Sequence, residues 1–269
     1  MVRKRIVVTD LTRMARPDVC LAGIEAESPH NCIRPQLMPA LGERALHPDE
    51  QWLYAAKGGP VRPFSIISFD AFRRFPSPPH TEDWHVSDAP VRVESILEEA
   101  ERRALLESIE QPSIDEMFGA PVKWNQDPEG MRFSGRVEPR SGTASLGTLR
   151  IDLHNVTVSA NPDGSLRYYV DFSDSSSTWN QARITDLSFL YWVDGLLRSL
   201  DGSIAELRRS LQSIFRAASL ESWLRVGLAR PFVPRGGNEP MCYVHVTGIY
   251  TFPDYLHGAA WCDFERPTA

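Results

Sequence analysis

The sequence predicts a mainly β chain built as two small barrels in tandem with inserted helices, and three observations lead there. Short runs rich in β-branched and aromatic residues recur along the chain between polar or proline-containing connections. Two amphipathic helical patterns interrupt them, so that β segments and helices alternate in two rounds. A stretch rich in proline, glycine and charge then divides the rounds.

The first β runs are Ile6-Val7-Val8, residues 19–24 and Cys32-Ile33-Arg34, followed by a stronger run at 64–72. Residues 36–59 carry Pro39, Gly42, Pro48 and the Gly58-Gly59-Pro60 break, which predicts a loop with a short helix. Pro76, Pro78, Pro79 and Pro90 make 75–90 irregular. Ser95 and Glu98 form a capping-box pattern, and Ile96, Leu97, Ala100, Ala104, Leu105 and Ile109 continue it at helical spacing.

The second round opens on the alternation Leu149, Ile151, Leu153. Asn161-Pro162-Asp163-Gly164 is hairpin-turn chemistry, with the proline pre-set for the bend and the glycine free to take positive φ. Leu166, Tyr168, Val170 and Phe172 then share one strand face, with Arg167, Tyr169 and Asp171 on the other. Residues 186–200 read as partly helical, with Asp186 as the N-cap and a break at Gly195. Ser203 and Glu206 box the start of a helix whose core face is Ile204, Leu207, Leu211, Ile214, Phe215 and Ala218. Strands at 223–229 and 241–250 close the chain. Two β-rich halves that each hold a helix and long loops fit two tandem small OB-type β-barrels, one over 1–112 and one over 147–269, with 113–146 as the linker.

Composition narrows the function classes. The 269 residues are 42 % hydrophobic and 24 % charged, which excludes a disordered tail. No run reaches the length of a membrane span, and the N-terminal apolar run is too short for a signal peptide, so a cytoplasmic protein is expected. A net charge of −6 argues against a duplex-binding surface covering the whole protein but leaves room for a local basic groove. Cys20, Cys32, Cys242 and Cys262 have neither disulfide-framework nor zinc spacing.

Phosphate-loop, dinucleotide, zinc-protease and nucleophile-elbow patterns are all absent. His80 and His85 flank Glu82 and Asp83 but lack ligand spacing, and Cys242 and His245 point to opposite faces of a strand. Asp171, Asp174 and Asp186 offer paired carboxylates for hydrolysis, against which stand turn and N-cap roles.

Positive surface with interleaved aromatics is the stronger signal. Tyr243 and His245 share a face of the last strand, Trp223 and Arg225 share one on the strand before it, and Arg167 pairs with Tyr169 in the hairpin. Arg13 and Arg16 lie in the first inter-strand loop, which OB barrels use for ligands, and Arg34 ends the third run.

The run Ile6-Val-Val-Thr-Asp-Leu-Thr-Arg-Met-Ala-Arg-Pro-Asp-Val-Cys-Leu-Ala-Gly-Ile24, followed by Cys32-Ile-Arg-Pro35, resembles the opening of the dual OB-containing domain family. Ile184-Thr-Asp-Leu187, Arg225-Val-Gly-Leu-Ala-Arg-Pro231 and Val246-Thr-Gly-Ile-Tyr-Thr-Phe-Pro253 are similar to its closing motifs. The resemblance implies two OB barrels and a nucleic-acid-binding role in bacteria, beside mobile-element or defence proteins. The expectation is therefore a non-enzymatic protein without cofactor or metal that binds single-stranded or structured DNA or RNA. Its contacts would be Arg13, Arg16 and Arg34 in one half and Arg167, Tyr169, Trp223, Arg225, Arg230, Tyr243 and His245 in the other. A protein-interaction module is the alternative, since interfaces also enrich arginine, tyrosine and tryptophan; an acidic-cluster enzyme is the third reading.

Overall fold

A long strand filled with β-branched residues, β1 (Val2–Arg13), starts the chain and serves two neighbours at once. Its first residues pair with β4 and its later ones with β2, and a bulge between Val8 and Asp10 bends it from one partner to the other. The computed structural model describes residues 1–14, 18–37, 47–216, 220–234 and 238–265.

The first half continues with β2 (Val19–Glu25), β3 (Ser28–Leu37), α1 (Glu50–Tyr54), β4 (Ser65–Arg74), β5 (Asp83–Val86) and β6 (Arg92–Ile96). Hydrogen bonding runs β1-β2-β3-β5-β4 and returns to β1, with β3 and β5 parallel and β6 added outside β4. That closed five-strand path, with a helix between its third and fourth strands, is the OB arrangement.

The connecting region holds α2 (Glu99–Ser108), β7 (Glu110–Gln111), α3 (Ile114–Met117), β8 (Lys123–Gln126) and β9 (Arg132–Val137). The second half has β10 (Leu146–Ala160), β11 (Leu166–Ser173), β12 (Thr178–Ile184), α4 (Leu187–Ser199), α5 (Ile204–Phe215), β13 (Glu221–Leu228) and β14 (Cys242–Phe252). Here the path β10-β11-β12-β14-β13 closes on β10, β12 and β14 are parallel, and the helices lie between the third and fourth strands. The two halves thus repeat one topology without repeating their sequence.

Several local expectations hold. Gly164 N donates to Asn161 O at 2.9 Å with the glycine at φ +82°, closing the β10–β11 turn. Asp186 caps α4 through Ser188 N and Phe189 N, and Ser203 caps α5 through Glu206 N. Tyr168, Val170 and Phe172 are buried as one face of β11. Ala218 lies outside the described residues.

Others are corrected. The proline-rich 75–90 segment contains β5, which the parallel pairing with β3 draws into the first barrel. Residues 92–96 are a strand against β4, so α2 starts later, on Glu98, whose own box with Glu101 replaces the one expected at Ser95. Gly195 does not break α4, because helix packing of Phe189 and Val193 carries the turn through it. Residues 113–146 are no free linker: β8 and β9 extend the second sheet, β9 lies against both β14 and β12, and Ile114, Met117, Phe118 and Val122 enter its core.

The barrels are joined face to face. Leu187 and Tyr191 of α4 and Trp261 of the C-terminal turn pack into the core of the first barrel. Trp261 Nε1 donates to Val61 O at 2.8 Å, and Arg62 grips both oxygens of Asp263 at 2.8 and 2.9 Å. No helix among the described residues is long and apolar enough to cross a membrane.

Gly23 shows how tightly the first barrel is drawn. A Cβ there would sit 2.3 Å from the carbonyl oxygen of Val7, a backbone atom that cannot swing away. Gly23→Ala is expected to cost about 1–3 kcal/mol, read as a lower urea midpoint with an unchanged m-value.

Candidate nucleic-acid interface

The alternation that buries Tyr168 and Val170 turns Arg167 and Tyr169 outward on β11. Tyr169 lies opposite Arg183 of β12, and Arg183 opposite His245 of β14, so the three side chains form a row across adjacent strands. Thr157 of β10 faces Tyr169 and extends the row. Two residues along β14, Tyr243 carries the same face toward Arg136 of β9 and packs its ring 4.9 Å from Phe232. One open face therefore carries guanidinium, phenol and imidazole groups in alternation.

A cleft of about 830 Å³ opens at one end of this face. The β10–β11 turn contributes Asn161, Asp163 and Ser165, α4 contributes Leu190 and Leu197, and Arg167, Arg183 and Arg13 supply positive charge. Arg13 reaches it from the first barrel because its backbone N–H donates to Thr185 O at 2.9 Å, which holds the end of β1 beside the end of β12. The cleft is thus composite: the open face of one barrel is completed by the end of β1 from the other.

Its electrostatics combine two neighbouring guanidiniums with the carboxylates of Asp163 and Asp194 on the lining. The side chains of Arg167 and Arg183 make no hydrogen bond or ion pair among the described residues. Burial and then the charge of Arg167 hold the Arg183 guanidinium below its ordinary pKa. Burial, with Arg183 second, pushes His245 down to about 4, so its ring is neutral near pH 7. An anion placed between the two guanidiniums relieves their repulsion.

The remaining expected contacts lie elsewhere. Trp223 and Arg225 do share a face, but it is the face of β13 turned toward the first barrel. Trp223 is fully buried against Val7, Phe64, Leu106 and Phe252, with Nε1 donating to Glu110. Arg225 is buried on Asp10, with Nε and Nη2 at 3.0 and 2.8 Å from one carboxylate oxygen. Both therefore hold the barrels together and are closed to a nucleic-acid strand.

Arg34 is likewise buried: Nε donates to Asp83 at 2.7 Å, and Glu82 beside it accepts from Ser145 N and Oγ across the junction. Arg230 is partly exposed and pairs with the other oxygen of Asp83 at 2.7 Å. Arg16 lies outside the described residues. In the first barrel, the β2–β3 face that would match the open one is covered by the second barrel, with Cys32 Sγ 4.0 Å from Arg225 Nη2.

Arg183 and Arg136 lie on this face without being among the expected contacts. Arg183 was legible, since it precedes the Ile184-Thr-Asp-Leu187 motif and alternates with buried Ile184. Arg136 was hidden in the supposed linker. No group of three or more His, Cys, Asp or Glu side chains among the described residues is arranged to hold a metal ion.

A family model described as the dual OB-containing domain matches residues 4–249, nearly the whole chain. No curated protein matches it.

Proposed function

Because the chain belongs to the dual OB-containing domain family, we propose that it is a non-enzymatic module that binds single-stranded nucleic acid on the β11–β12 face of its second barrel. The observation that carries this reading is the row Tyr169, Arg183 and His245, ending in a cleft where Arg167 and Arg183 lie close together and neither is in a salt bridge among the described residues. OB folds use the face of their second and third strands for oligonucleotides, and β11 and β12 are those strands here. Tyr169 and His245 supply stacking surfaces that accept any base, while Arg13, Arg167 and Arg183 follow the phosphates. A flexible single strand suits an open face of limited width better than a rigid duplex does.

Binding of a fluorescent single-stranded oligonucleotide should weaken linearly in log–log form with salt, with a slope near −2 if three phosphates are neutralised, at about −0.7 per phosphate. Replacing Arg167 and Arg183 together by Gln is expected to make that slope shallower by about 1.4. Arg209→Gln, an exposed change on α5, serves as the control. An unaltered slope in the double variant rejects the assignment of this face.

One observation favours a second reading as a protein-interaction module. Phe232 and Val233 are 43 % and 51 % exposed beside Tyr243, an apolar edge adjoining the same face. Salt-insensitive capture of a protein partner, lost in Phe232→Ser and retained in the double arginine variant, would favour it.

A further inference from the structure

Three family-like motifs separated in sequence, around Cys20, Arg34 and Arg230, meet at the junction between the barrels. Asp83 accepts from Arg34 with one oxygen and pairs with Arg230 through the other, both at 2.7 Å, so two guanidinium groups share a single carboxylate. Glu82 adds little, because Ser145 N and Oγ occupy its oxygens and Arg34 Nη2 stays 3.7 Å away. Buried polar atoms without a hydrogen-bond partner collect here: Nη2 of Arg34, both ring nitrogens of His80, Nδ1 of His47, and Oδ2 of Asp83, which is ion-paired with Arg230 but accepts no hydrogen bond. His80 is only 2 % exposed. The Ala229 carbonyl lies close enough to favour its proton but outside hydrogen-bonding geometry.

Unmet buried polar groups of this kind cost about 1–3 kcal/mol each, and more for charged groups, unless something fills them. The imbalance has a definite sign. Arg34, Arg230 and the two imidazoles offer more N–H groups than Asp83 and Glu82 have free lone pairs to accept. What completes such a set is an acceptor-rich group carrying negative charge. Arg230, whose side chain is 35 % exposed, forms the side open to solvent.

We propose that this junction is a second, small-ligand site, which takes a phosphate group between Arg34 and Arg230 with His80 as an additional donor. The positive surroundings agree: after burial, Arg34 and Arg230 are the largest influences lowering the His80 pKa. The neutral ring then donates one N–H and repels no cation. Two sources of the phosphate share this chemistry, the free anion and a mononucleotide. The site bridges Glu82 and Asp83 of the first barrel and Arg230 and Ser145 of the second, so its occupant would tie the two barrels together.

The proposal is tested by titrating the full-length protein calorimetrically with inorganic phosphate and with adenosine monophosphate, using sodium chloride at equal ionic strength as the blank. Saturable binding of one equivalent is expected. A response to phosphate itself identifies the free anion, and a response to the nucleotide alone identifies a nucleoside phosphate. Arg230→Gln should weaken binding about tenfold or more, as loss of a charge-assisted hydrogen bond does, and Arg230→Lys should weaken it less. Arg167→Gln, on the open face, should leave this binding within about twofold. No saturable heat with either compound to about 10 mM overturns the proposal. So does loss of binding in Arg167→Gln with retention in Arg230→Gln, which would place the anion in the cleft. Because the oligonucleotide titration reads a different face, failure here leaves that reading standing, and failure there leaves this one.

Discussion

Arg225→Met is expected to destabilise the protein by about 3–5 kcal/mol, the cost of leaving a buried charge without its partner. Asp10 is 1 % exposed, and Arg225 is the one cation among the described residues within ion-pair distance of it. Thr247 and Thr9 donate hydroxyls to it at 2.6 and 2.8 Å, and these two bonds would remain. They cannot balance a full negative charge at the seam between two barrels, and Thr148 Oγ1 would lose the donor that Arg225 Nη1 brings at 2.8 Å. Burial works against the guanidinium, but Asp10 more than offsets it and holds the pKa of Arg225 above its ordinary value. Asp10→Asn combined with Arg225→Met removes both charges and should recover much of the loss. Urea unfolding of the four proteins gives the coupling directly, and a single-variant loss below about 1 kcal/mol would mean the pair is not what joins the barrels.

The same residue shows what the sequence could and could not tell. Alternation along β13 correctly placed Trp223 and Arg225 on one face, but alternation separates two faces without saying which one meets water. In a chain of two barrels the answer depends on how the barrels dock, a long-range fact: Asp10 and Arg225 are 215 positions apart. Arg34 was misjudged for the same reason, since its partners Glu82 and Asp83 lie in a proline-rich segment that reads as loop until β3 recruits it as a parallel strand.

What was legible was local. The turn at 161–164, the caps Asp186 and Ser203, and the outward pair Arg167 and Tyr169 depend on neighbours within a few residues or across one hairpin. The family motifs carried the topology, because their apolar residues fill two closed five-strand paths. Their polar residues do otherwise. Asp10, Arg34, Arg225 and Arg230 all lie at the junction, so these motifs mark the docking of the barrels more than the open face.

Acid should loosen the protein through its buried histidines. Burial, then Arg34 and Arg230, push His80 down to about 2, and burial, then Arg183, push His245 down to about 4. Each ring is neutral in the folded state while the unfolded chain takes up protons below its ordinary pKa near 6.5. The unfolded state therefore binds more protons, and stability falls with pH from about 6.5 downward. Asp186 acts in the opposite sense: burial raises it to about 7 although three backbone N–H groups bond to it, so the folded state holds a proton that the unfolded state releases above about 3.8. Between pH 5 and 6, His80 and His245 outweigh Asp186 by about one proton, and His47, lowered chiefly by burial, acts in the same sense, which predicts a loss of at least about 1.4 kcal/mol per pH unit on acidification. Asp186→Asn keeps an N-cap acceptor but removes the opposing group, and its stability should fall about twice as steeply over the same window. His80→Gln should instead flatten the profile. Denaturation midpoints at half-unit pH steps separate these outcomes, and parallel curves for the native protein and both variants would show that neither group carries the dependence.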